Sequence, residues 1–247
     1  MKATRPLTAI ATTIVTSCIL GLSAMAHAKQ PELKPFFADY KAEVSGISGS
    51  GSRSLEKDRQ QWVLKFGAEV SIVIASINID ETSKLTLKDG KVQPVQYVYK
   101  RSGIGGKPAK TANFNWKKLE SVWQQKDETS TVKFKQGSQD PLSYQLQLRL
   151  DLKAGKKTDL AYPVVDDDEV YERKFIIEGE EILSTRTGKL KTIKVKIVRD
   201  DDDRQTWIWF AKDWDYILVQ FLQKENDSDY LIKFDQGKVD GKPVKGL

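Results

Sequence analysis

The feature that most limits what this chain can fold into is a period of two. Lys84-Leu85-Thr86-Leu87-Lys88 alternates polar and apolar side chains. Asp89-Gly90 follows, and Val92 to Tyr99 resumes with Val95, Tyr97 and Tyr99 expected on one face. Successive side chains of a strand point to opposite sides, and Asp-Gly suits the positive-φ turn of a tight hairpin. Thr192 to Val198 repeats the pattern, with Ile193, Val195 and Ile197 against Lys194 and Lys196. Thr206–Phe210, Tyr216–Leu222 and Tyr230–Phe234 read as further strands, the last pair joined by the turn "NDSD" at 226–229. "VSIVIASINI" (70–79) is β-branched and apolar on both faces in its first half, which predicts one central strand. Strands spaced about 8–12 residues apart with polar turns predict an antiparallel sandwich, barrel or strongly curved sheet. We expect a mainly β protein, a strongly curved antiparallel sheet or incomplete β-barrel with one amphipathic helix.

That helix is expected within "DPLSYQLQLRLDLKAG" (140–155). Leu or Tyr at every second position also fits a strand. Against the strand stand Asp140 as a cap, Pro141 at the first helical position, Gly155 as a stop and the absence of β-branched residues from Leu142 to Lys153. Such a helix would plug the sheet or cover one of its faces.

The only cysteine, Cys18, and the only histidine, His27, fall inside an N-terminal segment with a basic start (Lys2, Arg5), an apolar run and Ala26-His27-Ala28 before Lys29. This is the pattern of a secretory signal peptide over 1–28, cleaved after Ala28, and it predicts export to the periplasm. Val15-Thr16-Ser17-Cys18 offers an alternative, a lipoprotein anchored through Cys18. Residues 29–247 are then expected to form a single β-rich domain with no later transmembrane span. Cleavage removes the cysteine and the histidine, so disulfides, thiol nucleophiles, imidazole bases and Cys/His metal sites are excluded. Without Lys2 and Arg5 the 40 basic side chains fall to 38, against 34 acidic ones. So small a surplus, in an exported chain, argues against nucleic acid as a partner.

Longer stretches carry a resemblance. "PFFADYKAEVSGISGSG", "GKVQPVQYVYKR", "NFNW", "DPLSYQLQLR", "YPVVDDDEVYERKFIIEGEEILSTRTGKLKTIKVKIVR" and "TWIWFAKDWDYILVQF" occur in the order seen in the bacterial domain-of-unknown-function 3108 family. The chain resembles that family over nearly all of 35–235. The most specific parts are Glu180 or Glu181 before Ile182, then Thr187-Gly188, and Trp209-Phe210-Ala211 before Asp213. In "DYILVQF", Leu218 stands where members often carry a proline. The resemblance implies an exported, envelope-located β-protein and transfers no reaction, ligand or catalytic residue.

Four groups of residues are candidate sites. If Val170–Ile182 pairs with Leu190–Arg199 across "STRTG" (184–188), residue 200 falls opposite about 173. The runs Asp166–Glu169 and Asp200–Asp203 then meet at one end of the molecule. Asp167, Asp168, Asp201 and Asp202 would be the ligands if the cluster held Ca²⁺; otherwise they are solvated turn residues. No other cofactor is expected. The glycine-rich segments "SGISGSGSRS" (45–54) and "RSGIGGKPAK" (101–110) read as long hairpin loops whose Arg53, Arg101, Lys107 and Lys110 could touch lipid phosphates. Trp207, Trp209, Trp116, Trp123, Tyr97 and Tyr99, with Arg101, are candidates for an aromatic-lined cleft; the competing assignment is plain core. Glu178, Glu180 and Glu181 are the carboxylates a glycosidase-like hydrolase would need, although neighbours on a strand face opposite sides.

The expected function is therefore a non-catalytic periplasmic accessory protein. Its partner would be a lipid or envelope polymer, or an envelope protein. A carboxylate-dependent hydrolase of an envelope polymer and a scaffold module for an envelope machine are the alternatives.

Overall fold

The structure, a computed structural model, describes residues 32–44, 46–72, 75–200, 203–226 and 228–247. The leader over 1–28, with Cys18 and His27, lies outside them, as do Asp201 and Asp202. Among the described residues the chain forms β1 (Phe36–Val44), β2 (Ile47–Asp58), β3 (Gln61–Ile72), β4 (Ala75–Lys88), β5 (Lys91–Gly103), β6 (Lys107–Asn115), β7 (Glu120–Gln125) and β8 (Glu128–Lys133). Then come α1 (Tyr144–Lys153), β9 (Leu160–Asp166), β10 (Glu169–Thr185), β11 (Gly188–Val198), β12 (Arg204–Ala211), β13 (Ile217–Glu225), β14 (Ser228–Val239) and the short β15 (Lys242–Pro243). All the strands belong to one sheet of order β8-β7-β6-β5-β4-β3-β2-β1-β14-β13-β12-β11-β10-β9, with β15 beside β14. Consecutive strands pair as antiparallel hairpins, and β14 closes back onto β1. The edges β8 and β9 face each other across a seam, so the sheet is a nearly closed barrel.

No ladder of strand hydrogen bonds crosses that seam among the described residues. Gln139 bridges it instead: its N–H donates to Pro163 O at 2.8 Å and its carbonyl accepts from Val165 N at 2.9 Å. Ser130 Oγ donates to Asp167 O at 3.1 Å, and Lys110 Nζ reaches Asp166 and Asp167 at 3.5 and 3.0 Å.

The hairpin β4–β5 forms in the expected register, Leu87 opposite Val92, with Asp89 and Gly90 at φ 51° and 72°. A bulge at Val95 then shifts the phase, because Leu85 pairs with Pro94 and Lys84 with Gln96. Val92 and Pro94 face the core before the bulge and Tyr97 after it, so Val95 does not share the tyrosines' face as expected. The stretch 70–79 is not one central strand: β3 ends at Ile72, β4 starts at Ala75 and Val70 pairs with Ile77. A continuous apolar run marks strand content but carries no turn signal, which is why the hairpin was hidden. Nor are residues 47–54 loop; they lie in β2. Glycine serves there by allowing close approach, since a Cβ on Gly49 would sit 2.7 Å from Glu69 O.

The segment 140–155 contains the expected helix, α1, but its N-cap is Ser143, so Asp140 and Pro141 lie in the turn before it rather than at the cap and the first helical position. Asp140 Oδ1 accepts the N–H groups of Leu142 and Ser143 at 2.8 and 2.6 Å, forming the turn that leads into α1. Of the two expected placements, plug or cover, the helix takes the plug: Tyr144, Leu146, Gln147, Leu148, Arg149, Leu150, Asp151 and Leu152 are all buried. A helix wrapped by a barrel has no solvent face, so its polar residues pair with the wall. Gln147 Oε1 accepts from Val92 N at 2.8 Å, Tyr162 donates to Asp151 at 2.8 Å, and Arg149 pairs with Asp215. Each buried leucine contributes about 1.5–3 kcal/mol relative to exposure, which holds the plug in place.

Candidate functional site

Strand register divides the barrel into two ends. The turns after β1, β3, β5, β7, β9, β11 and β13 lie at one end, here the mouth. Those after β2, β4, β6, β10 and β12 lie at the base. A ten-residue helix spans about 15 Å, and α1 runs toward the base, where Lys153 bonds Glu32 O at 2.6 Å. The mouth half is left with a cavity of about 510 Å³.

Glu81, Tyr97, Tyr99, Arg101, Lys107 and Lys110 form one bank of this cavity, from β4, β5 and β6. Asp166, Asp167, Tyr171 and Arg173, from β9 and β10, form the other, and Pro141 and Tyr144 make the floor. The alternation puts them there: Glu81 pairs with Tyr99, and Tyr171 and Arg173 share the inward phase of buried Phe175. Tyr97 donates to Glu81 at 2.7 Å. Burial raises the Glu81 carboxyl, against the lowering effects of Tyr97 and Arg53. Burial and then the Glu81 charge drive the Tyr97 phenol far above its ordinary range, so it stays a donor. Lys110 is pulled down by burial, but its bonds to Asp167 and Asp166 outweigh this and raise it, keeping it charged.

The two arginines differ from the other charges. The Arg173 guanidinium lies over the Tyr171 and Tyr144 rings, 4.9 and 5.7 Å from their centroids, and one Nη donates to Tyr171 OH at 3.1 Å. The Nε–H groups of Arg101 and Arg173 are buried and have no acceptor among the described residues. A buried donor left unmade costs about 1–3 kcal/mol.

Of the candidate cleft residues, Tyr97, Tyr99 and Arg101 come together here, joined by Asp167 from the candidate calcium set. The others go elsewhere. Trp123 is 1% exposed core, 5.9 Å from the Tyr97 ring and 6.4 Å from Phe114. Trp116 sits at the base against Phe134 at 5.0 Å and donates to Pro94 O at 2.7 Å. Trp207 and Trp209 pair with Lys196 and Lys194, in the opposite phase to buried Ile208; Trp207 is half-buried against the core, and Trp209, 5% exposed, is part of it. Lys194 Nζ stands 5.5 and 5.3 Å from their ring centroids.

Glu178 is the extra residue of a bulge before Gly179. That bulge displaces the β10–β11 register by one, so residue 200 falls opposite 172 rather than 173, and Asp166–Glu169, Asp200 and Asp203 share the mouth end. The three glutamates are engaged on the outer wall: Glu178 with Lys194 at 2.8 Å and Trp207 at 3.1 Å, Glu180 with Lys212 at 2.5 Å, and Glu181 with the Trp209 indole. Asp168 is an exposed turn residue, and among the described residues no three His, Cys, Asp or Glu converge as metal ligands would.

Glu81, Tyr144, Tyr171 and Arg173 were missed as cavity residues. Their signal was available in part: Glu81 and Arg173 are charges in phase with apolar side chains of their own strands, Leu85 and Phe175.

Fold and site together define a helix-plugged, incompletely closed antiparallel barrel with a polar, tyrosine-rich mouth. A family model described as "Protein of unknown function (DUF3108)" matches residues 40–235, and the chain belongs to that family. It is similar in fold to the crystal structure of a β-barrel-like protein of domain of unknown function DUF1849 from Brucella abortus. That likeness has a TM-score of 0.55 at 13% identity, covering 84% of this chain and 98% of the other. No curated protein matches the sequence.

Proposed function

We propose that this is an exported, non-catalytic binding protein of the cell envelope whose mouth cavity holds a small amphiphile bearing a carboxylate or phosphate. One observation carries the proposal: two arginines, from strands on either side of the seam, keep buried donors without acceptors in a cavity walled by tyrosines. An anionic group would satisfy those donors, and the ring faces of Tyr99, Tyr144 and Tyr171 would take a flat or short apolar body. A volume of about 510 Å³ lies in the ordinary range for a small-molecule site. The charged lining favours such an amphiphile over a long acyl chain.

The test is native mass spectrometry of protein purified from the periplasm, followed by organic extraction. A bound anion is expected, with occupancy reduced at least about tenfold in Arg101→Ala/Arg173→Ala, where two charge-assisted contacts are lost, and unchanged in Trp207→Ala. Absence of any adduct, or an adduct indifferent to both arginines, would overturn the proposal. An N-terminus at Lys29 in the same sample is the expected product of export.

A hydrolase gains nothing from the geometry. Hydrogen bonding from Lys194 holds Glu178 below the usual carboxylate range, an ionised state unsuited to a general acid, and no catalytic family is indicated.

A further inference from the structure

We propose that the base of the barrel is a docking surface for an anionic lipid bilayer. The register gathers there the turns after β2, β4 and β6. They carry Lys57 and Arg59, Lys88 and Lys91, and Lys117 and Lys118, all exposed. Among the described residues none of these six makes an ion pair. The acids on the same turns are Asp58, Asp89 and, at the start of β7, Glu120. Two of the mouth turns carry the opposite charge: Asp166 to Glu169 stand on one, and Asp200 and Asp203 on the next but one. The molecule is therefore polarised along its axis, with the basic pole at the base.

Two further features favour a bilayer over a soluble polyanion. The cations sit on three neighbouring turns along one arc of the barrel's end, and Lys135 and Lys156 extend the basic surface across the adjoining recess, so it is a face rather than a groove that a strand could follow. Trp62 and Trp116 stand half-buried among the same turns, with Lys57 5.9 Å from the Trp62 ring centroid, and tryptophan is a residue of membrane interfaces. Beside them is a recess of about 540 Å³ lined by Lys88, Lys91, Lys135 and Lys156, with Asp89 and with Asp151, which pairs with Lys156 at 3.6 Å; it is large enough to admit a phosphate head group. Lysines near an anionic leaflet attract it additively, and salt screens the attraction over a Debye length of about 8 Å. Docked this way, the barrel presents its mouth away from the membrane. The surface is independent of whatever the cavity holds.

The experiment is co-sedimentation of the purified protein with vesicles of phosphatidylglycerol in phosphatidylcholine, against phosphatidylcholine alone. Binding is expected only to the former, released by high salt. It should weaken at least about tenfold in Lys88→Glu/Lys91→Glu and in Lys117→Glu/Lys118→Glu. Lys100→Glu/Lys126→Glu makes the same charge change toward the mouth and is expected to stay within about twofold of the parent. Thermal melts establish that each variant is folded. Equal weakening by all three double variants would reduce the effect to net charge and overturn the proposal. So would binding to a soluble polyanion such as heparin with none to vesicles, or no binding dependent on phosphatidylglycerol.

Discussion

At the residue scale, the most exacting position is Asp215, held at φ 54° beside Tyr216 at φ 56°. Its carboxylate meets both Arg149 and Lys153 of the plug, and its carbonyl accepts from Arg149 Nε at 2.5 Å. Arg149 also lies 4.6 Å from the Phe36 ring centroid. Burial lowers its pKa, and the Asp215 charge opposes that shift. Removing one member of a buried pair leaves the other charge uncompensated. Asp215→Ala is therefore expected to cost about 3–5 kcal/mol in urea unfolding, and Arg149→Met/Asp215→Ala to recover much of the loss. A loss no larger than that of an exposed pair would contradict this role. No sequence pattern joins residue 149 to residue 215; only the position of the helix inside the barrel does.

At the scale of the element, the entry to α1 makes a pH-dependent contribution. Burial pushes the Asp140 carboxyl up to about 6, while the hydrogen bonds from Ser83, Ser143 and Leu142 act the other way. The folded state thus holds this proton more tightly than the unfolded chain, whose carboxyl titrates near its ordinary value of about 4. The contribution of this group to stability is complete below about pH 4 and is lost as pH rises through about 6. Asp140→Asn keeps an oxygen for the two backbone N–H groups but cannot ionise. Its unfolding free energy should exceed the parent's by up to about 3 kcal/mol at pH 7, the two converging below pH 4. Denaturant melts across that range check it, and parallel curves would refute it. The helix itself was legible because capping residues act locally. Strand β2 was not, because its run of serine and glycine has low strand propensity and is held by close contact with β1 and β3.

At the scale of the whole molecule, the seam is where the barrel is weakest. β8 and β9 each have a ladder on one side only, and Gln139, Ser130 and Lys110 supply most of what crosses between them. Strand edges with few backbone partners open first. Hydrogen exchange followed by mass spectrometry is expected to label peptides covering 128–133 and 160–166 before those covering β4, β5 and β11. Lys110→Ala should speed the 160–166 peptide in particular, and uniform exchange across all strands would argue against a weak seam.

Period-two alternation, hairpin turns and capping residues determined this protein's local structure from sequence: antiparallel strands, a helix within 140–155, and Asp166–Glu169, Asp200 and Asp203 at one end. Each depends on interactions within a few residues, where spacing alone sets which side chains share a face. Closure decided the rest. Whether an aromatic strand face lines the interior or the outer wall depends on which side of the sheet becomes concave and where a bulge reverses the phase. Those choices put Trp207 and Trp209 on the face of β12 opposite Ile208 and brought Tyr99, Arg101 and Arg173 together across the seam, because contacts between distant strands, with the helix filling the space they enclose, set the curvature.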